Sequence, residues 1–190
     1  MKKEYNIAGF GGQGIMFLGQ VLAYTAMFAG KEATWIPSYG PEMRGGTANC
    51  MVVVADATVR SPLVEAPDIA IIFNKPSLEK YAPAIKPGGV ALLVADQIDT
   101  RPQRDNFTVY AIPAKALAEA ISAPLAVNMV MLGALMAVDD TVDCSYVEAA
   151  VRKITPAHLA QSIDLNLRAV EAGYRHCAAL IAGNPRKREG

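Results

Sequence analysis

The segment Gly9-Phe10-Gly11-Gly12-Gln13-Gly14 constrains this chain more than any other, because it follows the apolar run Tyr5-Asn6-Ile7-Ala8 and precedes a helical pattern opening at Ile15. It predicts a strand, a tight glycine turn and a helix N-terminus in succession. Four of its six positions lack a Cβ, so the backbone can approach an anion closely, and the first amides of the following helix have no partner within it. The spacing is also formally G-x-G-x-x-G, the pattern of a dinucleotide-binding turn.

Strand-length apolar runs recur at 5–9, 33–37, 48–55, 69–74, 89–95 and 107–112, bounded by Gly, Pro or Asp. Helical patterns fall between them at 15–29, 76–84 and 114–121, the last introduced by Pro113. Alternation of this kind predicts an α/β fold: a single Rossmann-like domain with a mostly parallel sheet and helices on both faces. Between Thr47–Ala55 and Ile69–Asn74 lies the turn-rich stretch Asp56–Pro62. It has room for a short strand and admits an antiparallel pairing at the sheet edge. The patterns at 128–138, 146–153 and 162–182 read as further helices covering the sheet, with Ser145 and Asp164 as candidate N-caps. The domain is expected to span residues 1–183, followed by a solvated basic tail at 184–190 that contains Arg186-Lys187-Arg188.

With 190 residues and 52% hydrophobic content, the chain can bury one substantial core. Lysine plus arginine equals aspartate plus glutamate, at 18 each. No global field therefore draws it to nucleic acid or to an anionic membrane. Cys50, Cys144 and Cys177 are too few and too scattered for a disulfide framework, and no C-x-x-C pair offers a zinc or iron–sulfur site. The start of the chain lacks a secretory apolar region and the apolar runs are interrupted by Asn, Asp or Gly. A cytoplasmic protein without membrane insertion is expected.

A dinucleotide site needs an acidic residue at the carboxyl end of the second strand to hold a ribose hydroxyl. Glu32 has nearly the right count but precedes that strand, whose far end is Ile36-Pro37-Ser38-Tyr39. The count is met and the geometry is not. A phosphate-binding P-loop also fails, since no Gly-Lys-Ser or Gly-Lys-Thr follows. What remains is a turn that serves helix-to-strand packing or meets a polar ligand, with the Gln13 amide able both to donate and to accept.

A second stretch, Ser38-Tyr39-Gly40-Pro41-Glu42-Met43-Arg44-Gly45-Gly46-Thr47, follows the second strand and should emerge at the same sheet edge, so that both loops face one crevice. In isolation it also reads as a surface loop with an Arg44–Glu42 contact. Taken together, the two loops resemble the gamma subunit, or gamma domain, of the 2-oxoacid:ferredoxin (acceptor) oxidoreductases. The similarity continues in order through Ser61-Pro62-Leu63-Val64, Pro67-Asp68, Phe73-Asn74-Lys75-Pro76-Ser77, Lys86-Pro87-Gly88-Gly89 and Asn128-Met129-Val130-Met131-Leu132-Gly133. Thr47-Ala48-Asn49 with Cys50 is closer to the 2-oxoglutarate or branched-chain members than to the pyruvate members.

The resemblance implies a complex that oxidatively decarboxylates a 2-oxoacid, forms an acyl-coenzyme A and passes electrons to ferredoxin or another acceptor. It further implies that thiamine diphosphate, magnesium and iron–sulfur clusters reside in alpha and beta subunits and a ferredoxin-like delta subunit. This chain shows neither a cluster's cysteine set nor a Gly-Asp-Gly thiamine motif. It is then one component, without a tightly bound cofactor or metal of its own, and inactive alone.

Site candidates for cofactor binding or subunit contact are Gly9, Gly11, Gly12, Gln13, Gly14, Tyr39, Gly40, Glu42, Arg44, Gly45, Gly46, Asn74 and Asn128, with no catalytic residue among them. The glycine amides suit a phosphate-bearing group, coenzyme A by the resemblance, or a partner's surface. Arg44 suits a forked contact to carboxylate or phosphate, with a pair to Glu42 as its rival. Asn128 reads first as an N-cap and second as a crevice group, and Asn74 as a turn former or crevice residue. Cys50 reads as a small core residue, and His158 and His176 carry no metal spacing. The competing function is a free-standing nucleotide-binding module or dehydrogenase.

Overall fold

The structure is a computed structural model in which residues 1–39 and 47–183 are described. The expected tail at 184–190, and Gly40, Glu42, Arg44, Gly45 and Gly46, lie outside the described residues. The elements run β1 (Lys2–Phe10), α1 (Ile15–Phe28), β2 (Glu32–Tyr39), β3 (Thr47–Ala55), β4 (Ile69–Ile72), α2 (Lys75–Tyr81), β5 (Val90–Val94) and β6 (Thr108–Ile112). They continue with α3 (Ala114–Ala120), α4 (Val127–Val138), α5 (Val147–Ile154) and α6 (Ile163–Ala182). Short 3-10 turns follow α2 and precede α5 and α6.

Among the described residues one sheet forms, in the order β2-β3-β1-β4-β5-β6. The four strands β1, β4, β5 and β6 are parallel neighbours, whereas β3 pairs antiparallel with both β1 and β2. The antiparallel edge that the sequence admitted is present, formed by β2 and β3, and β1 separates β3 from β4. Burial gives the reason. Tyr5, Ile7 and Ala8 have no solvent exposure, so β1 needs a neighbour on each side and helices on each face. No strand forms at 56–62.

The two faces carry different layers. On one, Tyr5, Ile7, Val52, Val54, Ile71 and Leu92 pack beneath α1, α3, α4, α5 and α6. On the other, Ala70, Ile72, Ala91 and Leu93 meet Leu78 of α2, Ile85, Ile98 and Phe107. Helix α4 is buried from Asn128 to Met136 and forms the centre of the thicker layer. Its Gly133 faces Gly173 of α6: a Cβ on Gly133 would stand 1.9 Å from the Val170 carbonyl oxygen, and one on Gly173 1.9 Å from that of Val130. Only glycines allow these two helices to approach so closely.

Two caps differ from expectation. Asp143, not Ser145, caps the 3-10 turn before α5, its carboxylate accepting from the Ser145 amide at 2.8 Å. That bond holds the Asp143 carboxyl below its ordinary value. Asp164 lies inside the first turn of α6, where a carboxylate favours the helix dipole without capping; Ser162 occupies the cap position.

The connection from β1 to β2 crosses the first face through α1, and that from β4 to β5 crosses the second through α2. Chain direction thus diverges between β1 and β4, which opens a crevice at their carboxyl ends.

Candidate functional site

That crevice contains the glycine turn. Gly11 and Gly12 are exposed, Gly12 has φ 91° and Gly14 has φ 73°, a left-handed conformation in which a side chain is strained. Gly14 is the N-cap of α1, and no side chain caps that helix. The turn is instead tied by amide side chains arriving from other parts of the chain.

Gln13 is the centre of this lattice. Its Oε1 accepts from the Phe10 backbone N–H at 2.6 Å and from Asn74 Nδ2 at 3.2 Å, while its Nε2 donates to Gln97 Oε1 at 2.7 Å. Asn74, at the end of β4, also caps α2 through Oδ1, which accepts from Ser77 N–H at 2.9 Å. One buried amide thus caps a helix and braces the glycine turn. Asn128 does not cap α4; that position belongs to Ala126. Its Nδ2 donates to the Gly14 carbonyl at 3.1 Å, and a Cβ on Gly14 would lie 2.5 Å from the same nitrogen. Helix α4 can spare this amide because its first turn already closes through Met129 and Val130 N–H to the Ala126 carbonyl. A Cβ at Gly9 would strike Gln13 Oε1 at 2.6 Å and Phe73 Cβ at 2.9 Å, so this glycine serves close packing.

The two loops share an edge. Phe10 pairs with Thr47, Gly9 with Ala48, and Ala48 with Tyr39, so β1 and β2 end side by side with β3 between them. Tyr39 closes β2 there, and the remaining loop candidates lie outside the described residues. The dinucleotide reading meets two obstacles. The second strand is not adjacent to the first, and Glu32 pairs with Ala55, opposite Lys2, at the far edge of the sheet from the glycine turn.

Gln97 is the lattice member that sequence reasoning missed. Its signal was positional: it lies three residues past the end of β5, and residues just past parallel strands line the crevice. Asp96 beside it accepts from the Lys115 N–H at 2.7 Å and ties the start of α3 to the same edge. Nothing in residue spacing distinguishes Gln97 from a solvated surface amide.

The cysteines offer no nucleophile here. Burial pushes the Cys50 thiol up to about 12 and the Cys177 thiol up to about 11, so neither forms thiolate near neutral pH. Cys144 is exposed and distant in the chain from the glycine turn. Among the described residues no group of three or more His, Cys, Asp or Glu could hold a metal ion. Among the same residues, no helix is long and apolar enough to cross a membrane.

Comparison with known proteins agrees with this architecture. The ketoisovalerate oxidoreductase subunit VorA of Methanothermobacter marburgensis is 39% identical over 168 residues, 88% of this chain but 35% of its own length. The chain thus spans about a third of that relative. The 2-oxoglutarate synthase subunit KorC of Methanocaldococcus jannaschii is 38% identical over 177 residues, covering 92% of this chain and 93% of that protein. The keto/oxoacid ferredoxin oxidoreductase gamma subunit of Geobacter sulfurreducens superposes with a TM-score of 0.80 at 28% identity, covering 93% of this chain and 99% of that one. Residues 4–176 match the family described as pyruvate ferredoxin/flavodoxin oxidoreductase, and the chain belongs to that family.

Proposed function

We propose that this chain is the gamma component of a multi-subunit 2-oxoacid:ferredoxin oxidoreductase of the cytoplasm, with 2-oxoglutarate as the favoured substrate ahead of branched-chain 2-oxoacids and pyruvate. The complex would oxidise and decarboxylate the 2-oxoacid, transfer the acyl group to coenzyme A and reduce ferredoxin. Thiamine diphosphate, magnesium and iron–sulfur clusters belong to alpha, beta and delta partners. The observation that carries the reading is the near end-to-end match to a 2-oxoglutarate synthase subunit of the same length class.

The crevice fits the role of a docking wall. Exposed Gly11 and Gly12 present backbone on a turn held by Gln13, Asn74, Gln97 and Asn128, so a partner or coenzyme A would meet a surface already ordered for contact. Gly9, Gly14, Tyr39, Gly40, Glu42, Arg44, Gly45 and Gly46 complete the proposed contact set.

Affinity purification of the chain from its native cells tests this. The expected fraction contains thiamine-binding and cluster-bearing chains and reduces ferredoxin faster with 2-oxoglutarate plus coenzyme A than with pyruvate or ketoisovalerate. Recovery of the chain alone, or of a fraction with no 2-oxoacid-dependent reduction, overturns the proposal. Preference for another 2-oxoacid overturns only the substrate ranking.

A further inference from the structure

Helix α2, which starts at Lys75 directly after Asn74, and the 99–107 segment enclose a cleft of about 480 Å³ over the thinner face of the sheet. Its apolar wall includes Leu78, Ala82, Pro83 and Phe107. Lys75, Arg101 and Arg104 also line it, against one carboxylate, Glu79. Three cations thus face one carboxylate within the cleft, while Asp99 and Asp105 border Arg101 and Arg104 on the adjoining side of the same segment.

The cations are not absorbed by internal pairing. Among the described residues, the side chain of neither Lys75 nor Arg101 makes a hydrogen bond or an ion pair. Arg104 is different: Nε donates to Asn106 Oδ1 at 3.1 Å, Nη1 donates to the Pro83 carbonyl, and the guanidinium lies 5.9 Å from the Phe107 ring centroid. One guanidinium is thus oriented by the fold, and the other two cations are available to a ligand.

We propose that this cleft binds a phosphate monoester carried on an apolar or aromatic body. A phosphate monoester brings close to two negative charges at neutral pH, one for each of the unpaired side chains of Lys75 and Arg101. A guanidinium recognises its oxygens through paired donors, which a lone ammonium cannot do. The volume falls within the range of small-molecule sites, roughly 300–1,000 Å³, and the apolar wall would go unused with a bare inorganic anion. None of the cleft's lining residues belongs to the Gln13, Asn74, Gln97 and Asn128 lattice, although Lys75 directly follows Asn74, and the site does not depend on the identity of the 2-oxoacid.

Calorimetric titration of the full chain with phenyl phosphate, AMP and inorganic phosphate tests the assignment, with a Lys75→Gln/Arg101→Gln double variant as control. Both side chains are exposed and unpaired, so the variant should keep its circular dichroism spectrum. Phenyl phosphate or AMP should bind at least about tenfold more tightly than inorganic phosphate, and the double variant should lose about tenfold or more of that affinity. Tighter AMP than phenyl phosphate identifies the source as a nucleotide; equal or weaker AMP identifies a non-nucleotide ester. Equal affinity for inorganic phosphate, affinity unchanged in the double variant, or no saturable binding of either ester overturns the proposal.

Discussion

Gly14 and Asn128 are 114 positions apart and hold each other in place. In Gly14→Ala the methyl group would enter a left-handed conformation, costing about 1–2 kcal/mol, and would press on Asn128 Nδ2. Asn128→Ala removes both the obstacle and the hydrogen bond to the Gly14 carbonyl. Urea unfolding of the two single variants and the double should give a double-variant loss smaller than the sum by at least about 0.5 kcal/mol. Simple additivity would show that the two positions do not interact. At this scale, the need for glycine was legible because missing side chains are a local property. The amide partners were not, since capping and long-range bridging ask the same of an asparagine in sequence.

Among elements, the tightest constraint lies where α4 crosses α6. Gly133→Ala places a methyl group where the Val170 carbonyl oxygen stands, and the helices must separate to admit it. Overpacking of this kind should destabilise the chain by about 3 kcal/mol and lower its melting temperature. Calorimetry showing a loss below about 1 kcal/mol would mean that the helices do not meet at this glycine. The helices themselves were readable to within one or two residues for α1, α3, α4, α5 and α6, because a repeating apolar face persists through several turns. The neighbour of β3 was not legible: its Val-rich run announces a strand but says nothing of whether β1 or β4 will lie beside it.

For the whole molecule, the sheet edge opposite the glycine turn is fastened by charge. Glu4 accepts from Lys2 at 2.6 Å and from Lys86 at 2.8 Å, and Lys86 also reaches Asp68 at 3.0 Å. This joins β1 to the connections that precede β4 and β5. Burial acts to push the Glu4 carboxyl up, but the bonds and charges of Lys2 and Lys86 together outweigh it and hold the group below its ordinary 4.5. A carboxyl depressed by folding stabilises the native state above its unfolded value, and that contribution is lost as pH falls through the folded one. Stability should therefore decline on acidification below about pH 4.5, and Glu4→Gln should flatten that decline by up to about 1 kcal/mol. Chemical denaturation from pH 3 to pH 7 reads the effect; identical pH profiles for parent and variant would refute it.

Sequence alone determined the strand–turn–helix opening, the α/β alternation and the family resemblance, because each rests on neighbours within a short window or on motifs in fixed order. Tertiary structure decided that β1 takes the middle of the sheet and that Gln13, Asn74, Gln97 and Asn128 converge on one turn. It also decided that Lys75 and Arg101 line one cleft. The physical reason is common to all three: each depends on which distant surfaces bury one another, and local propensity is blind to that choice.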